Sequence, residues 1–170
     1  MMRMRAPLGR TLAAALAAAF LLLAPSLSAL STGADPAADV AVAVHRDVPV
    51  DGLSLVELRR LVLGDREFWP GSVRVTLLMR APVSHERDVV LKTICQMSEA
   101  QFRQHWIGKV FRADTAVAPK IVYSPEMSVD LVNRIPGAIT FVDASNAAIR
   151  GLKLLKIDGK LPGDAGYPLK

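Results

Sequence analysis

The sequence predicts an α/β protein whose sheet is mostly parallel and flanked by helices. Short apolar runs rich in Val and Ile alternate with longer segments that carry apolar residues at helical spacing. Serines with the pattern of helix N-caps mark where several of the helices begin. The elements follow in the order βαβαα-βαβ-β, and strands that alternate with helices favour parallel pairing.

A strand, a helix and a second strand come first. Residues 40–44 form an apolar, β-branched run that is too short for a helix and predicts the first strand. Ser54 and Glu57 have the spacing of a capping box, and Gly64 ends the helix that they begin. Residues 73–80 then predict the second strand.

Six further elements complete the pattern. The first two are helices, one from Ser84 to about Gln96 and one opened by Ser98 and Gln101, with Phe102, Trp106 and Val110 on one face. A strand at residues 121–123 and a helix that starts at Ser124-Pro125 come next. The last two are a strand after Pro136-Gly137 and a hairpin within residues 152–161 around Asp158-Gly159. No internal repeat or low-complexity linker interrupts this order. We therefore expect residues 40–170 to form a single domain.

The amino-terminal end has the composition of a secretory signal peptide, which we assign to residues 1–29. Three arginines lie within the first ten residues, and no further charge occurs before Asp35. Residues 12–24 are almost entirely apolar, as expected of the hydrophobic region of such a peptide. Small residues allow cleavage after Ala29, or as late as after Ala34.

An uncleaved membrane anchor is the alternative interpretation of this segment. Its uncharged run approaches the roughly 20 residues that span a bilayer, but Pro25 interrupts the apolar part early. No cysteine lies near either cleavage position, so nothing there can carry a lipid anchor. We therefore expect cleavage and export to the periplasm.

The charge of the chain does not indicate a nucleic-acid partner. The formal net charge is +5, of which the three signal arginines contribute three, so residues 30–170 carry +2. No basic stripe with interleaved aromatic residues accompanies this small excess. The high isoelectric point therefore mostly reflects the export signal.

Arg80 and Ser84 together indicate a site for a small oxyanion. Arg80 ends a strand, and Ser84 opens the next helix. The first N–H groups of a helix have no internal partner, and its dipole leaves positive potential at that end. A guanidinium from the strand end adds a charged, forked donor where α/β sheets bind ligands. The candidate ligand-binding residues are Arg80, Ser84, His85 and Arg87.

The same region also allows a purely structural interpretation. Ser84 can act as a simple N-cap, while Glu86 and Asp88 place carboxylates in the first turn and satisfy the helix dipole. Arg80 or Arg87 can then pair with one of these carboxylates. The sequence leaves both interpretations open.

Catalysis and metal binding find little support in the sequence. Ser84, His85 and Glu86 include the residue types of a hydrolytic triad, but neighbours on a helix point about 100° apart and cannot converge. The three histidines show no ligand spacing, and a single cysteine cannot build a thiolate site. That cysteine, Cys95, lies among apolar residues and is typical of a buried, inert thiol. We expect no enzyme activity and no metal or cofactor.

Several segments resemble, in the same order, phosphate-type periplasmic solute-binding proteins. The segments are residues 53–64, the Phe68-Trp69-Pro70-Gly71 motif, Arg80 with Ser84, residues 98–111, residues 136–142 and the closing Gly166-Tyr167-Pro168-Leu169. The resemblance covers residues 40–170. It implies one lobe of a type II periplasmic binding protein.

In that family a strand-end arginine precedes a Ser-Gly-Thr turn that holds phosphate. Arg80 and Ser84 match the arginine and the serine, whereas His85 and Glu86 stand where the glycine and threonine would be. A glycine lets the backbone approach an anion closely, and a carboxylate opposes anion binding. Full-length members close two lobes over the ligand. A chain that corresponds to one lobe implies weaker binding, or a partner that supplies the other wall.

Two classes of function follow from these observations. The first is an exported module that binds phosphate or a similar oxyanion and serves ABC-type phosphate uptake or sensing, with a membrane permease or sensor as partner. The second is a ligandless interaction protein that docks on a membrane sensor or transporter. A bound oxyanion favours the first, whereas a stable membrane partner without an effect of anions on stability favours the second.

We predict that export removes the first 29 to 34 residues. The mature protein should begin at Leu30 or Asp35, because the apolar region is short and ends at a proline. Intact mass spectrometry of the periplasmic fraction checks the cleavage site. A full-length mass recovered from the membrane pellet would contradict this expectation.

Overall fold

A five-stranded sheet forms the centre of the computed structural model, which describes residues 39–115, 117–149 and 151–170. The strands in these residues are β1 (Val40–Val44), β2 (Gly52–Leu53), β3 (Thr76–Arg80), β4 (Lys120–Val122), β5 (Ala138–Asp143), β6 (Lys153–Leu154) and β7 (Lys156–Ile157). The central sheet has the order β4-β3-β5-β1-β6, and β2 pairs with β7 in a separate two-stranded sheet.

Most strands of the central sheet point the same way. β3 pairs in parallel with both β4 and β5, whereas β1 runs antiparallel to β5 and to β6. Four of the five strands therefore share one direction, and β1 is the exception. The α/β fold with a mostly parallel sheet is confirmed.

Five helices lie within the described residues. They are α1 (Leu55–Val62), α2 (His85–Val89), α3 (Glu99–Phe111), α4 (Pro125–Arg134) and α5 (Ala144–Ile149). α2 continues directly into a π-helical segment, Val90–Cys95, and Gln96 ends that segment in a left-handed conformation with φ of 55°. Serine side chains cap α1 to α4, and the capping boxes predicted for α1 and α3 are both present.

The carboxyl-terminal part of the chain differs from the sequence pattern. The turn of the predicted hairpin is present, since Ile157 and Lys160 exchange two backbone hydrogen bonds of 2.8 and 3.0 Å. Residues 152–157 form two short strands instead of one, because β6 pairs with β1 while β7 pairs with β2. Residues 144–149 form α5, which has too few apolar residues at helical spacing to be predicted.

The two faces of the central sheet bury different side chains. β1 alternates Val and Ala, so its valines enter one apolar cluster and its alanines enter the other. The valine cluster includes residues of α1, the π-helical segment and α3, with Trp69 beside them. The alanine cluster includes Val129 and Val132 of α4. Helices therefore cover both faces, as a mostly parallel sheet requires.

The signal peptide assigned to residues 1–29 lies outside the described residues. Within the described part of the chain, no helix combines the length and the apolar composition that crossing a bilayer requires. The 13 residues of α3, for example, fall short of the roughly 20 that are needed.

Gly137 determines how β3 lies against β5. It has φ of 76°, and a Cβ atom at this position would overlap the carbonyl oxygen of Arg74. Its own carbonyl accepts hydrogen bonds from the N–H of Thr76 at 3.1 Å and from the indole Nε1 of Trp69 at 2.9 Å. A glycine is therefore needed at position 137 for the observed pairing of β3 with β5, and this pairing positions Arg80 at the end of β3.

We predict that Gly137→Ala lowers the free energy of unfolding by about 3 kcal/mol or more, since it adds a backbone clash to an unfavourable φ. Gly159→Ala is the matched control. Gly159 has φ of 77°, but an added Cβ there meets no atom within 4 Å, so the loss should be about 1 kcal/mol. Urea unfolding measures both losses, and equal values would mean that the clash is relieved by a backbone shift.

Candidate functional site

Three helices begin at one edge of the central sheet. β3 ends at Arg80, β4 at Val122 and β5 at Asp143, and these ends lie side by side because the three strands are parallel. α2, α4 and α5 start within a few residues of these ends. We call this region the carboxyl edge. Unpaired N–H groups and helix dipoles make such an edge the usual ligand position in open α/β sheets.

Arg80 is largely shielded from solvent at the carboxyl edge and forms an ion pair with Glu86. Its Nε is 3.4 Å from Oε1 of Glu86, and the two side chains are 11% and 9% exposed. Its Nη1 donates a hydrogen bond of 3.4 Å to the carbonyl oxygen of Val122. The Nε atom makes no hydrogen bond to any described residue. The guanidinium is therefore only partly satisfied by its neighbours, although the structural pairing with Glu86 is present.

Ser84 is the N-cap of α2. Its Oγ accepts a hydrogen bond of 3.4 Å from the N–H of Arg87, and its hydroxyl still has a proton to donate. The turn before it closes through a hydrogen bond of 3.4 Å from the Ser84 N–H to the carbonyl of Ala81. Val83 occupies this turn with φ of 72°, where glycine is the usual residue. A strained turn therefore sets the start of α2.

A second carboxylate lies at the carboxyl edge. Asp143 accepts hydrogen bonds from the hydroxyl and the backbone N–H of Ser145. The hydroxyl of Ser145 is the main reason that the pKa of Asp143 lies below its ordinary value, while burial opposes this shift and the nearby His85 adds to it. Glu86 offsets the positive charge of Arg80, and Asp143 adds a second negative charge to the carboxyl edge, which is therefore not strongly cationic.

Arg87 joins the end of β3 to α3. Its Nε and Nη2 donate to the two carboxylate oxygens of Glu99 at 2.8 and 2.9 Å, and its Nη1 donates to the carbonyl of Arg80 at 2.9 Å. Its guanidinium also lies 5.4 Å from the centre of the Phe102 ring. The hydrogen bonds from Arg87 hold the pKa of Glu99 below its ordinary value. All three guanidinium nitrogens of Arg87 are thus engaged within the protein.

The structure brings three of the four predicted ligand-binding residues to the carboxyl edge. Arg80 and Ser84 flank the turn into α2, and His85 is the first residue of that helix, with an exposed side chain. The side chain of Arg87 is only 5% exposed and serves as a clamp between β3 and α3. Sequence reasoning missed Asp143, although an aspartate directly before a helix is a typical N-cap.

Among the described residues, no group of three or more His, Cys, Asp or Glu side chains is placed to hold a metal ion. Cys95 is buried, as the sequence predicts. Burial raises the pKa of its thiol to about 12, so the thiol stays protonated at neutral pH.

The fold is similar to that of solved phosphate-binding proteins. PstS from Borrelia burgdorferi matches with a TM-score of 0.62 and 12% identity, over 78% of this chain and 54% of that chain. An ABC-type phosphate transport receptor from Vibrio cholerae matches with a TM-score of 0.59 and 17% identity, over 74% and 48%. A Clostridium perfringens structure that contains bound phosphate matches with a TM-score of 0.57 and 18% identity, over 72% and 46%. The chain shares their fold.

At these identities the likeness establishes the fold alone. The chain spans about half the length of the solved structures it matches. No protein-family model matches the sequence, and no curated protein matches it. The resemblance to phosphate-type solute-binding proteins is thus confirmed at the level of the fold.

We predict that Glu99→Ala destabilises the protein by about 2–3 kcal/mol, because it leaves the buried Arg87 guanidinium without its bidentate partner. Asp130→Ala is the matched control. It breaks an exposed ion pair with Arg134 of the same 2.8 Å length and should cost less than about 1 kcal/mol. Urea unfolding measures both free energies, and a cost for Glu99→Ala no larger than the control would refute the clamp.

The effect of Glu99→Ala should also depend on pH. Because the pKa of Glu99 is lowered in the folded state, its stabilisation is complete above the ordinary pKa of 4.5 and is lost as the pH falls through the folded value. Unfolding free energies of wild type and variant should therefore converge as the pH is lowered from about 7 to about 3. A difference that stays constant over this range would show that Arg87 gains little from the ionised carboxylate.

Proposed function

We propose that this chain is a solute-binding module that holds a small oxyanion at the carboxyl edge, with phosphate as the first candidate. One observation carries the proposal. The largely shielded Arg80 guanidinium, whose Nε makes no hydrogen bond to the described residues, lies at the end of β3 beside the helix start capped by Ser84. A guanidinium and a helix start are each favourable to an oxyanion. The fold shared with phosphate-binding proteins supports the choice of ligand.

Each predicted residue has a distinct role in this proposal. Arg80 supplies the charged donor, and Ser84 supplies its hydroxyl group. His85, exposed at the first position of α2, supplies a ring N–H. Arg87 acts through the backbone, since its hydrogen bond to the carbonyl of Arg80 holds the end of β3 in place.

Glu86 opposes the ligand. Its carboxylate lies 3.4 Å from Nε of Arg80, so an incoming oxyanion must share the guanidinium with it or displace it. An oxyanion bound to the same guanidinium would be repelled by the Glu86 carboxylate, and this repulsion is strong where water is excluded. We therefore expect weak binding by the isolated chain, and tighter binding when a partner supplies the opposite wall of the cleft.

Export and transport belong to the same proposal. The composition of residues 1–29 supports export to the periplasm. The matched phosphate transport proteins support a role in ABC-type phosphate uptake or sensing, with a membrane permease or sensor as partner. These neighbours are transport proteins, and we propose no catalytic step.

The Arg80–Glu86 pair favours a second candidate function. Because Glu86 already offsets the charge of Arg80, the fold does not depend on a bound anion. The chain is then a ligandless periplasmic protein that docks on a membrane sensor or transporter.

We predict that phosphate raises the melting temperature of the wild-type protein and that Arg80 is required for this effect. A ligand at a hundred times its dissociation constant adds about 2.7 kcal/mol, which corresponds to several degrees. Arg80→Ala should abolish most of the shift, and Ser84→Ala should reduce it. Glu86→Gln should enlarge it, because the competing charge is removed. A thermal-shift titration at constant ionic strength measures these changes.

Controls separate this site from a general salt effect. Phosphate and sulfate are both excluded from protein surfaces and stabilise all variants alike through that effect. Arg134→Ala removes an exposed arginine at the far end of α4 and should leave the phosphate response unchanged. If wild type and Arg80→Ala respond equally to phosphate, the oxyanion proposal is wrong and the docking function takes its place.

A further inference from the structure

An apolar groove of about 480 Å³ runs along α3. Successive turns of α3 form one wall, and the segment that leads into β4 forms the other. Phe102 and Trp106 lie at its base and are 3% and 7% exposed. The groove is therefore a concave surface with an aromatic floor.

The rim of the groove exposes large apolar side chains to solvent. Phe111 is 90% exposed, Ile107 is 55% exposed, and Ile121 on β4 is 38% exposed. Val110 belongs to the same rim with 47% exposure, although it shares a face of α3 with the buried Phe102 and Trp106. Grouped apolar exposure of this kind marks interaction surfaces.

The charged residues that line the groove are Arg87 and Arg103. Arg103 forms no ion pair with the described residues, but its charge helps to lower the pKa of the adjacent Glu99, which Arg87 holds by two hydrogen bonds. No acidic residue is among the described residues that line the groove. An occupant with carboxylates beside its apolar side chains would complement this surface.

We infer that the groove docks an amphipathic helix of a partner protein, with apolar side chains on the buried face and carboxylates flanking them. The lining residues of α3 extend from Phe102 to Phe111, which is about 13 Å at 1.5 Å per residue, or between two and three helical turns. An apolar groove of this length is the usual receptor for anchors at i, i+3, i+4 and i+7 of a helix.

Other occupants match these features less well. In a two-fold contact between copies of this chain, two grooves would bring together two Arg103 side chains and no groove-lining carboxylate. A small amphipathic molecule could fill the groove but would leave most of Phe111 in water. A bilayer surface is flat, whereas this surface is concave. Docking here does not depend on oxyanion binding, because Arg80 and Ser84 do not line the groove, and Arg87 connects the two surfaces among the described residues.

The test uses a synthetic helical peptide of about 18 residues, with Leu at positions i, i+3, i+4 and i+7 and Glu on the flanks. A second peptide carries Lys in place of every Glu. Trp106 lines the groove and Trp69 is buried in the core, so tryptophan fluorescence of the intact mature protein reports binding. We expect the acidic peptide to bind at least about tenfold more tightly than the basic peptide.

Three variants locate the binding surface. Arg103→Glu should lower the affinity for the acidic peptide by about tenfold and raise the affinity for the basic peptide. Unfolding cannot produce this reversal, because it would lower both affinities. Ile107→Ser should lower the affinity for the acidic peptide by about tenfold, because an apolar contact is lost. Val56→Ser is the matched control, since Val56 is 70% exposed on α1, outside the groove, and its loss should change neither affinity. All three side chains are exposed, and melting temperatures check that the variants fold.

Four outcomes would overturn the inference. The first is failure of the acidic peptide to bind, and the second is equal affinity for the two peptides. The third is a wild-type dimer that Ile107→Ser dissociates in analytical ultracentrifugation, which would make a second copy the occupant. The fourth is that the wild type binds phosphatidylglycerol vesicles but neither peptide, and that Ile107→Ser abolishes the vesicle binding. That result would make the surface a membrane contact.

Discussion

Two arginines, Arg80 at the end of β3 and Arg87 one turn into the next helix, hold that strand end to the helices beyond it. Both guanidinium groups are withdrawn from water, and a buried charge is tolerated only when opposite charge and hydrogen-bond acceptors surround it. Arg87 has such a set in Glu99 and the carbonyl of Arg80. Arg80 has Glu86 at 3.4 Å and one long hydrogen bond. The guanidinium nitrogens of Arg87 all donate hydrogen bonds within the protein, so Arg87 is a structural clamp. Arg80 keeps an Nε donor without a hydrogen bond to the described residues and can still bind a ligand.

The chain has a complete core although it spans about half the length of the structures it matches. All five residues of β1 are buried, and helices lie against both faces of the sheet. The closing segment returns to β1, where the hydroxyl of Tyr167 donates a hydrogen bond of 2.8 Å to the carbonyl of Val40. The described residues therefore form a packed core of their own.

The carboxyl edge and the apolar groove meet at Arg87. This side chain binds the carbonyl of Arg80 on one side and lies over the Phe102 ring at the base of the groove on the other. A ligand at Arg80 and a partner on α3 would thus be separated by one buried side chain. The two proposals therefore concern neighbouring but separate surfaces.

Local sequence determined most of the elements of this protein, with α5 and the division of residues 152–157 into β6 and β7 as exceptions. The capping boxes begun by Ser54 and Ser98 and the hairpin turn at Asp158-Gly159 depend on residues three or four positions apart, so their patterns are legible without a structure. The same holds for the placement of Arg80 and Ser84 at a strand end and a helix start. The alternation of elements was enough to predict the α/β class.

Only the tertiary structure decided which neighbours these residues have. The antiparallel direction of β1 follows from its pairing with β5, far along the chain, and the choice of Glu86 for Arg80 and Glu99 for Arg87 follows from how three elements pack. Val110 has the spacing of a core residue, yet its side chain is 47% exposed at the rim of the groove. Periodicity states which side chains share a face, but contact between distant segments decides which face is covered and which charges are paired.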